Sequence, residues 1–248
     1  MRLNEHTAIA TPRVILVPYE ARHVERYHEW MSDPNIQEAT ASEPLTLEEE
    51  YENQQSWRTS HDKLTFIICH PLPASCETSE TKLEAVQAGE VDAPDHMIGD
   101  INFFIYPNDD DGDDDDEPTQ TVAEGSYVGE VDVMVASKDH RGKGIGHAAV
   151  TTLLTYVHRN KERILAEYVE GEGKAGEGKA PELKGLMVKI KEKNAASIAL
   201  FRRLGFVQKG DVNYFGEIQM VLKDLGQFVA SAAGVKAAGG YSEVVYSR

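Results

Sequence analysis

Cysteine is almost missing from this 248-residue sequence: Cys69 and Cys76 are the only two. That excludes the disulfide framework on which small secreted folds depend, and Cys69, at the end of the apolar run Phe66-Ile67-Ile68-Cys69, reads as a small packing residue. Nine histidines are scattered without the spacing of a zinc site, so no metal is expected. Positive charge is also short, with 25 Lys and Arg against 42 Asp and Glu and a net charge of −17. A phosphate backbone or an anionic membrane needs a basic footprint, so neither nucleic acid nor membrane is an expected partner. No apolar run approaches the ~18–20 residues that span a bilayer, and the opening residues, Met1-Arg2-Leu3-Asn4-Glu5-His6, lack an apolar signal core. The expectation is a cytoplasmic protein, with the nucleus left open. What the chain does hold is 41% hydrophobic residues, enough for a substantial core at this length.

The negative charge is uneven. Asp109, Asp110, Asp111, Asp113, Asp114, Asp115, Asp116 and Glu117 form one self-repelling run that reads as disordered. An EF-hand with its glycine at Gly112 would need its first ligand at Pro107, so that reading fails. Against the acidic background Lys138, Arg141 and Lys143 make a basic island. It lies between a strand pattern, Val131, Val133 and Val135 alternating with Glu130, Asp132 and Met134, and a helix pattern carrying Val150, Leu153, Leu154 and Val157 on one face. Between the two, Arg141-Gly142-Lys143-Gly144-Ile145-Gly146 lets the main chain turn tightly and aim successive N–H groups into one small space at a helix N-terminus. Such a loop suits a phosphate; on glycine content alone it is equally an ordinary strand-to-helix connection. A second glycine-rich stretch, 171–180, imitates two nucleotide motifs. Gly171-x-Gly173-x-x-Gly176 follows no strand and opens no helix, and Gly173-x4-Gly178-Lys179 is followed by Ala180 and Pro181 where a Mg²⁺-binding hydroxyl belongs, so the stretch reads as a flexible insertion.

Elsewhere the pattern predicts a strand at 14–17, a helix bearing Val24, Tyr27, His28 and Met31 that Asp33-Pro34 ends, and a helix from Leu47 towards Trp57 opened by a capping box of Thr46 and Glu49. Glu48, Glu49, Glu50 and Glu52 read as the solvated face of that helix. Strands follow at 63–70 and 97–105, the latter alternating Asp100 and Asn102 with Ile101, Phe103 and Ile105, and again at 125–135 and 186–190. Asn194 caps a helix with Ser197, Leu200, Phe201 and Leu204 on one face, Gly205 stops it, and 207–209 with 217–222 read as an antiparallel pair. Residues 71–96, 108–124 and 161–185 read as insertions, and 226–248 as a loosely ordered tail.

Strand, Arg-x-x-Gly-x-Gly and helix together resemble the acetyl-CoA pyrophosphate loop of the GNAT acetyltransferase superfamily. Asn194-Ala195-Ala196-Ser197 followed by Leu204-Gly205-Phe206 is similar to the later cofactor-side helix of that family. Arg13 to Tyr19 and Tyr27 to Pro34 resemble the branch that contains the ribosomal-protein alanine acetyltransferases. With Met1-Arg2-Leu3-Asn4 and the stretch 41–51, the whole set resembles the eukaryotic N-acetyltransferase nine-like proteins over residues 1–225. The resemblance implies a single α/β domain of GNAT fold, a central mixed and splayed β-sheet flanked by helices. It implies acetyl-CoA as co-substrate and transfer to a primary amine, of a protein N-terminus or a lysine, so that the partner is a protein or peptide acceptor. Residue by residue, it assigns Met134 and Val135, with Val133 beside them, to contact with the thioester and its arm. Arg141, Gly142, Lys143, Gly144, Ile145 and Gly146 go to the pyrophosphate, and Asn194, Ser197 and the Phe201 position to the arm.

Acetyl transfer requires an amine that has lost its proton. Glu130 and Asp132 share one face of the strand beside the implied thioester, and Glu130 is the first choice of base; a structural carboxylate at a strand edge is the other reading of both. Many family members carry a tyrosine where this chain has Phe201, which donates no proton. That leaves water or another tyrosine, such as Tyr214, to protonate the departing thiolate, or an unassisted departure. It also leaves a rival function open, a GNAT-fold CoA-binding scaffold without turnover.

Overall fold

The computed structural model describes residues 1–71, 84–108, 125–174, 179–231 and 239–248. Two short strands, β1 (Thr7–Ala10) and β2 (Ile15–Pro18), open the chain and are almost wholly buried. The helices α1 (Val24–Met31), α2 (Pro34–Thr40) and α3 (Leu47–Thr59) follow. Asp33-Pro34 ends α1 and also begins α2: the Asp33 carboxylate accepts from the Asn35 N–H, and Pro34, which has no N–H to satisfy, takes the first helical position. The capping box of α3 forms as expected, with Thr46 Oγ1 accepting from the Glu49 N–H and Glu49 accepting from that of Thr46. The rest runs β3 (Lys63–Cys69), β4 (Ala85–Gln87), β5 (Met97–Pro107), β6 (Ser126–Val135), α4 (Ile145–Gly171), β7 (Glu182–Lys191), α5 (Ala195–Arg203), β8 (Val207–Lys209), β9 (Glu217–Leu222), α6 (Leu225–Ala230) and β10 (Ser242–Ser247). No helix among the described residues is long and apolar enough to cross a membrane.

Among the described residues the strands form one mixed sheet in the order β4-β10-β1-β2-β3-β5-β6-β7-β9-β8, flanked by helices. On one face Val150, Leu153, Leu154 and Val157 of α4 pack with Phe66, Phe103, Val131 and Leu186. On the other, Val24, Trp30 and Met31 of α1 pack with Ile67 and Met134. The sheet closes tightly at Gly99 of β5, where any Cβ would fall 1.9 Å from the Met134 carbonyl oxygen. It opens one strand further on. The parallel ladder between β6 and β7 runs from Ser126↔Glu182 to Glu130↔Met187 and stops. From Val131 onward β6 pairs only with β5, so the two central strands splay.

Several expectations are corrected. The stretch from 226 is no loose tail where it is described: β10 lies between β1 and β4, antiparallel to the first and parallel to the second, with Val244 and Tyr246 buried. Its small-residue neighbours hid a strand whose apolar face has only those two members. Part of the insertion assigned to 71–96 is also fold. Beyond β4, the buried Asp92 carboxylate accepts from His23 Nε2 (2.7 Å), the Gly89 N–H (2.6 Å) and the Tyr246 hydroxyl. The Glu20 N–H donates to His23 Nδ1 (3.0 Å), which leaves the proton of the neutral ring on Nε2, facing Asp92. The insertion assigned to 161–185 shrinks from both sides, because α4 continues to Gly171 and β7 starts at Glu182. Glu50 leaves the solvated face of α3 and is buried, while Glu48, Glu49 and Glu52 stay exposed. The acidic run, Cys76 and residues 175–178 of the second glycine-rich stretch lie outside the described residues.

Candidate active site

Where β6 and β7 part, a cleft of about 850 Å³, counted to its open mouth, enters the sheet. Val131, Asp132, Val133 and Met134 form one wall, and residues 188–191 of β7 form the other. Asn194, Ser197 and Phe201 close the α5 end, Tyr27 and Trp57 face them from the helices of the N-terminal half, and Asp100 and Asn102 of β5 lie on the floor. The cleft exists because a strand cannot stay hydrogen-bonded to a neighbour that leaves it, so the main chain of β6 beyond Glu130 has no strand on its β7 side.

The glycine loop sits at the N-terminal end of α4. Gly142 and Gly144 have φ of +72° and +79°, a conformation that strongly favours glycine, and Gly144 is the N-cap of α4 with no side chain to cap it. The first-turn N–H groups thus receive no acceptor from the cap residue. Arg141 turns back on the strand it follows: Nε donates to the Val135 carbonyl (2.8 Å) and Nη2 to that of Ala136 (3.1 Å). Its charge is held at the loop by the end of β6. Arg13 arrives from the far side of the sequence, with Nη2 donating to the Lys143 carbonyl at 2.6 Å. It reinforces the basic island, and nothing in the sequence pairs it with a loop 130 residues away. Gly146 lies where α4 faces α5, and a Cβ there would only touch Leu200 Cδ2 at 3.4 Å. Asn194 Oδ1 accepts from the Ser197 N–H (3.1 Å), the predicted cap.

The two candidate bases part company. Glu130 is 7% exposed, forms an ion pair with Lys189 (Oε2 to Nζ 2.9 Å), and does not line the cleft. Asp132 faces the cleft and is open to solvent. Its carboxyl is pushed up to about 6, because the walls of the cleft strip part of its hydration and the charge of Glu130 repels a second anion, against the opposing pull of Lys189. Behind it Asp100, 3% exposed, is pushed up to about 7, mainly by burial and further by Asp132, while the hydrogen bond from Asn102 opposes the rise. Sequence reasoning recorded Asp100 and Asn102 only as the polar face of a strand. Their place in the site follows from the register Asn102↔Asp132, which no local pattern contains.

Of the remaining assigned residues, Val133, Met134, Asn194, Ser197 and Phe201 line the cleft, and Val135 ends the strand above it with its carbonyl taken by Arg141. Phe201 is buried edge-on against Phe206. Tyr214 is 97% exposed and outside the cleft; Tyr27 is the tyrosine that lines it, with its phenol held neutral by burial. No group of three or more His, Cys, Asp or Glu side chains among the described residues is placed to hold a metal ion.

Comparison with known proteins places this geometry. The family model for the acetyltransferase (GNAT) domain matches residues 13–207. The alpha/beta-tubulin-N-acetyltransferase 9 of Drosophila melanogaster is 38% identical over 220 residues, 89% of this chain and 88% of that protein. The N-acetyltransferase 9-like protein of Schizosaccharomyces pombe is 36% identical over 232 residues, 90% of this chain and 98% of that one. Among solved structures, the spermidine N-acetyltransferase of Vibrio cholerae in complex with CoA and spermine aligns with a TM-score of 0.52 over 85% of this chain and 94% of that one; at 13% identity the likeness speaks for the fold. The splayed sheet, the glycine loop and these relatives agree: the chain belongs to the GNAT acetyltransferases, as an N-acetyltransferase of the 9-like group.

Proposed function

We propose that the protein transfers the acetyl group of acetyl-CoA to an amine of an acceptor protein, and that the preferred amine is a polypeptide α-amino group. The observation that carries this reading is Asp132, a cleft-facing carboxylate with a raised pKa next to Met134, at the point where β6 is free of β7. The residues present suit the co-substrate. The turn with two left-handed glycines, the uncapped start of α4 and the charges of Arg141, Lys143 and Arg13 suit a pyrophosphate, and the side of 131–134 that β7 has left suits an amide-bearing arm. Bound acetyl-CoA supplies an activated acyl carbon.

The chain supplies the proton handling. An incoming ammonium loses one proton to Asp132, its lone pair attacks the acyl carbon, and the C–S bond breaks. The second proton leaves the new amide nitrogen and ends on the thiolate, which departs as a thiol. Phe201 contributes nothing to that last transfer; Tyr27, Thr40, Ser42 and Ser197 bring hydroxyls to the cleft, and a thiolate with a pKa near ~8.5 is an acceptable leaving group without help. An α-ammonium has a pKa of about 8 and a lysine ammonium about 10.4, so near neutrality the free amine is a few hundredfold more abundant for the former. A base with a pKa near 6 matches the α-amine better.

The printed name of the Drosophila relative makes tubulin the first acceptor to try, and a cytoplasmic location is part of this reading. The test is thiol release from acetyl-CoA in the presence of tubulin dimer and of peptides bearing a free α-amine, a lysine, or both, with the acetyl group located by mass spectrometry. Acetylation confined to lysine would refute the α-amine preference. CoA binding without transfer to any amine would favour the scaffold reading.

A further inference from the structure

We propose that Asp100 and Asn102 form the seat for the acceptor's ammonium group, completing with Asp132 a three-point acceptor site on the cleft floor. The inference rests on the acetyl-transfer reading above and adds to it the residues that position the amine.

Three observations carry it. First, both side chains are nearly inaccessible, 3% and 5% exposed, yet both line the cleft. Second, each keeps one side-chain oxygen without a partner. Asn102 Nδ2 donates to Asp100 Oδ2 at 2.7 Å, which fixes the orientation of the amide and leaves Asp100 Oδ1 and Asn102 Oδ1 buried with no donor among the described residues. Thr65, across the β3–β5 ladder from Asn102, does not supply one, since its own buried hydroxyl is also unpaired. Buried acceptors are rarely left unmatched unless a ligand or an ordered solvent molecule serves them. Third, the register Asn102↔Asp132 and Asp100↔Met134 puts these two oxygens and the Asp132 carboxylate on one face of the sheet, across from Met134, where β6 loses its β7 partner.

The chemistry of the set selects its ligand. Two carboxyl groups and an amide oxygen meet at this point, a set that favours a cationic donor over a carboxylate or a phosphate. The lysines on the facing strand do not alter this, because Lys189 is engaged by Glu130 and Lys191 by Glu217. A group with three N–H donors and a positive charge fits. Held there, an ammonium directs one N–H at Asp132 and the others at the floor, so the proton that passes to Asp132 leaves the lone pair on the side of β6, the strand that also carries Met134.

The test uses the full chain saturated with CoA, which cannot react. Calorimetry is run with a lysine-free decapeptide copying a tubulin N-terminus with a free α-amine, and with the same peptide N-acetylated. Expected for the wild type is binding of the free peptide at least roughly tenfold tighter than the blocked one. Asn102→Leu and, as the gentler change, Asp100→Asn should each weaken the free peptide about tenfold while the blocked peptide and CoA bind as before. In turnover the same variants should raise the peptide KM and leave the acetyl-CoA KM unchanged. If the wild type discriminates and both variants still discriminate equally well, the seat is overturned and acetyl transfer stands. If the wild type ignores the amine altogether, seat and α-amine reading fall together.

Discussion

Replacing Asp132 by Asn separates base catalysis from every other role this site could have. The amide keeps the volume of the side chain and cannot take a proton from an ammonium, so kcat should fall by about 10²–10⁴-fold. CoA affinity should hold, because the Asp132 side chain opens into the cleft and makes no hydrogen bond to the glycine loop among the described residues. The sign of the pH dependence follows from the structure: the working form is the carboxylate, so kcat rises as pH climbs through the pKa of about 6 and flattens above it. At pH 5 roughly a tenth of the sites carry the charge, and the rate should stand at about a tenth of its plateau. In Asp132→Asn that limb disappears, and the residual rate climbs only at high pH as free amine becomes abundant. Glu130→Gln is the matched control. Burial is the larger cause of the raised Asp132 value and Glu130 the next, so removing the charge of Glu130 should slide the acid limb to lower pH, by less than about one pKa, and leave the plateau within a few fold. The assay is thiol release at saturating acetyl-CoA and acceptor from pH 5 to 10. An Asp132→Asn enzyme with wild-type kcat at pH 7, or a Glu130→Gln enzyme that loses the plateau, would refute the assignment.

Gly144→Glu should abolish CoA binding in a folded protein, since φ of +79° strains any side chain, Arg13 Nη2 would lie 3.1 Å from the new Cβ, and a carboxylate would meet the phosphates; unchanged affinity by calorimetry would sink the loop assignment. Arg13→Ala removes both a charge and the bond to the Lys143 carbonyl, and CoA affinity should drop several-fold with a weaker salt dependence, a change that a purely structural Arg13 would not produce. Asp92→Ala should cost about 3 kcal/mol or more, because it leaves the His23 Nε2–H, the Tyr246 hydroxyl and the Gly89 N–H buried without an acceptor; chemical denaturation measures it. Burial alone would raise the Asp92 pKa, but the hydrogen bonds from His23 and Tyr246 outweigh it and hold the carboxyl at about 2. A depressed value stabilises the fold above the unfolded pKa near 4. In the wild type about 2 kcal/mol is therefore lost as pH falls from about 4 through 2, and the Asp92→Ala protein should lack that acid-dependent loss.

Features written in a few consecutive residues were legible. The Thr46 and Glu49 capping box, the Asn194 cap, the stop at Gly205 and the strand–glycine–helix unit at 131–150 each depend on partners within a turn or two, and each is found where the pattern places it. Asp33-Pro34 was half legible: a proline that stops one helix is equally good at starting the next, and the pattern of 34–40 is too short to announce α2. What stayed hidden is held by partners far apart in sequence. Arg13 reaches Lys143, Asp92 joins His23 to Tyr246, and β10 fills the slot between β1 and β4 with two apolar side chains. Alternation says that a segment is a strand; it does not say which strand it will lie against.

The choice between two carboxylates shows why that gap matters most at the candidate site. Glu130 and Asp132 are equivalent by every local criterion, two residues apart on one face of one strand. The ladder separates them. Glu130 is the last residue of β6 still paired with β7, so a side chain from that strand, Lys189, lies within reach and neutralises it in a buried setting. Two residues on, β7 has diverged, Asp132 forms no ion pair among the described residues, and its side chain opens instead into the cleft with Asn102 across from it on β5. On the proposed reading, the splay that would admit an extended thioester also decides which carboxylate is left without an ion-pair partner among the described residues. A base must be exposed enough to meet the ammonium and sheltered enough for its pKa to approach neutrality, and on this strand the step where pairing ends is the position that meets both conditions.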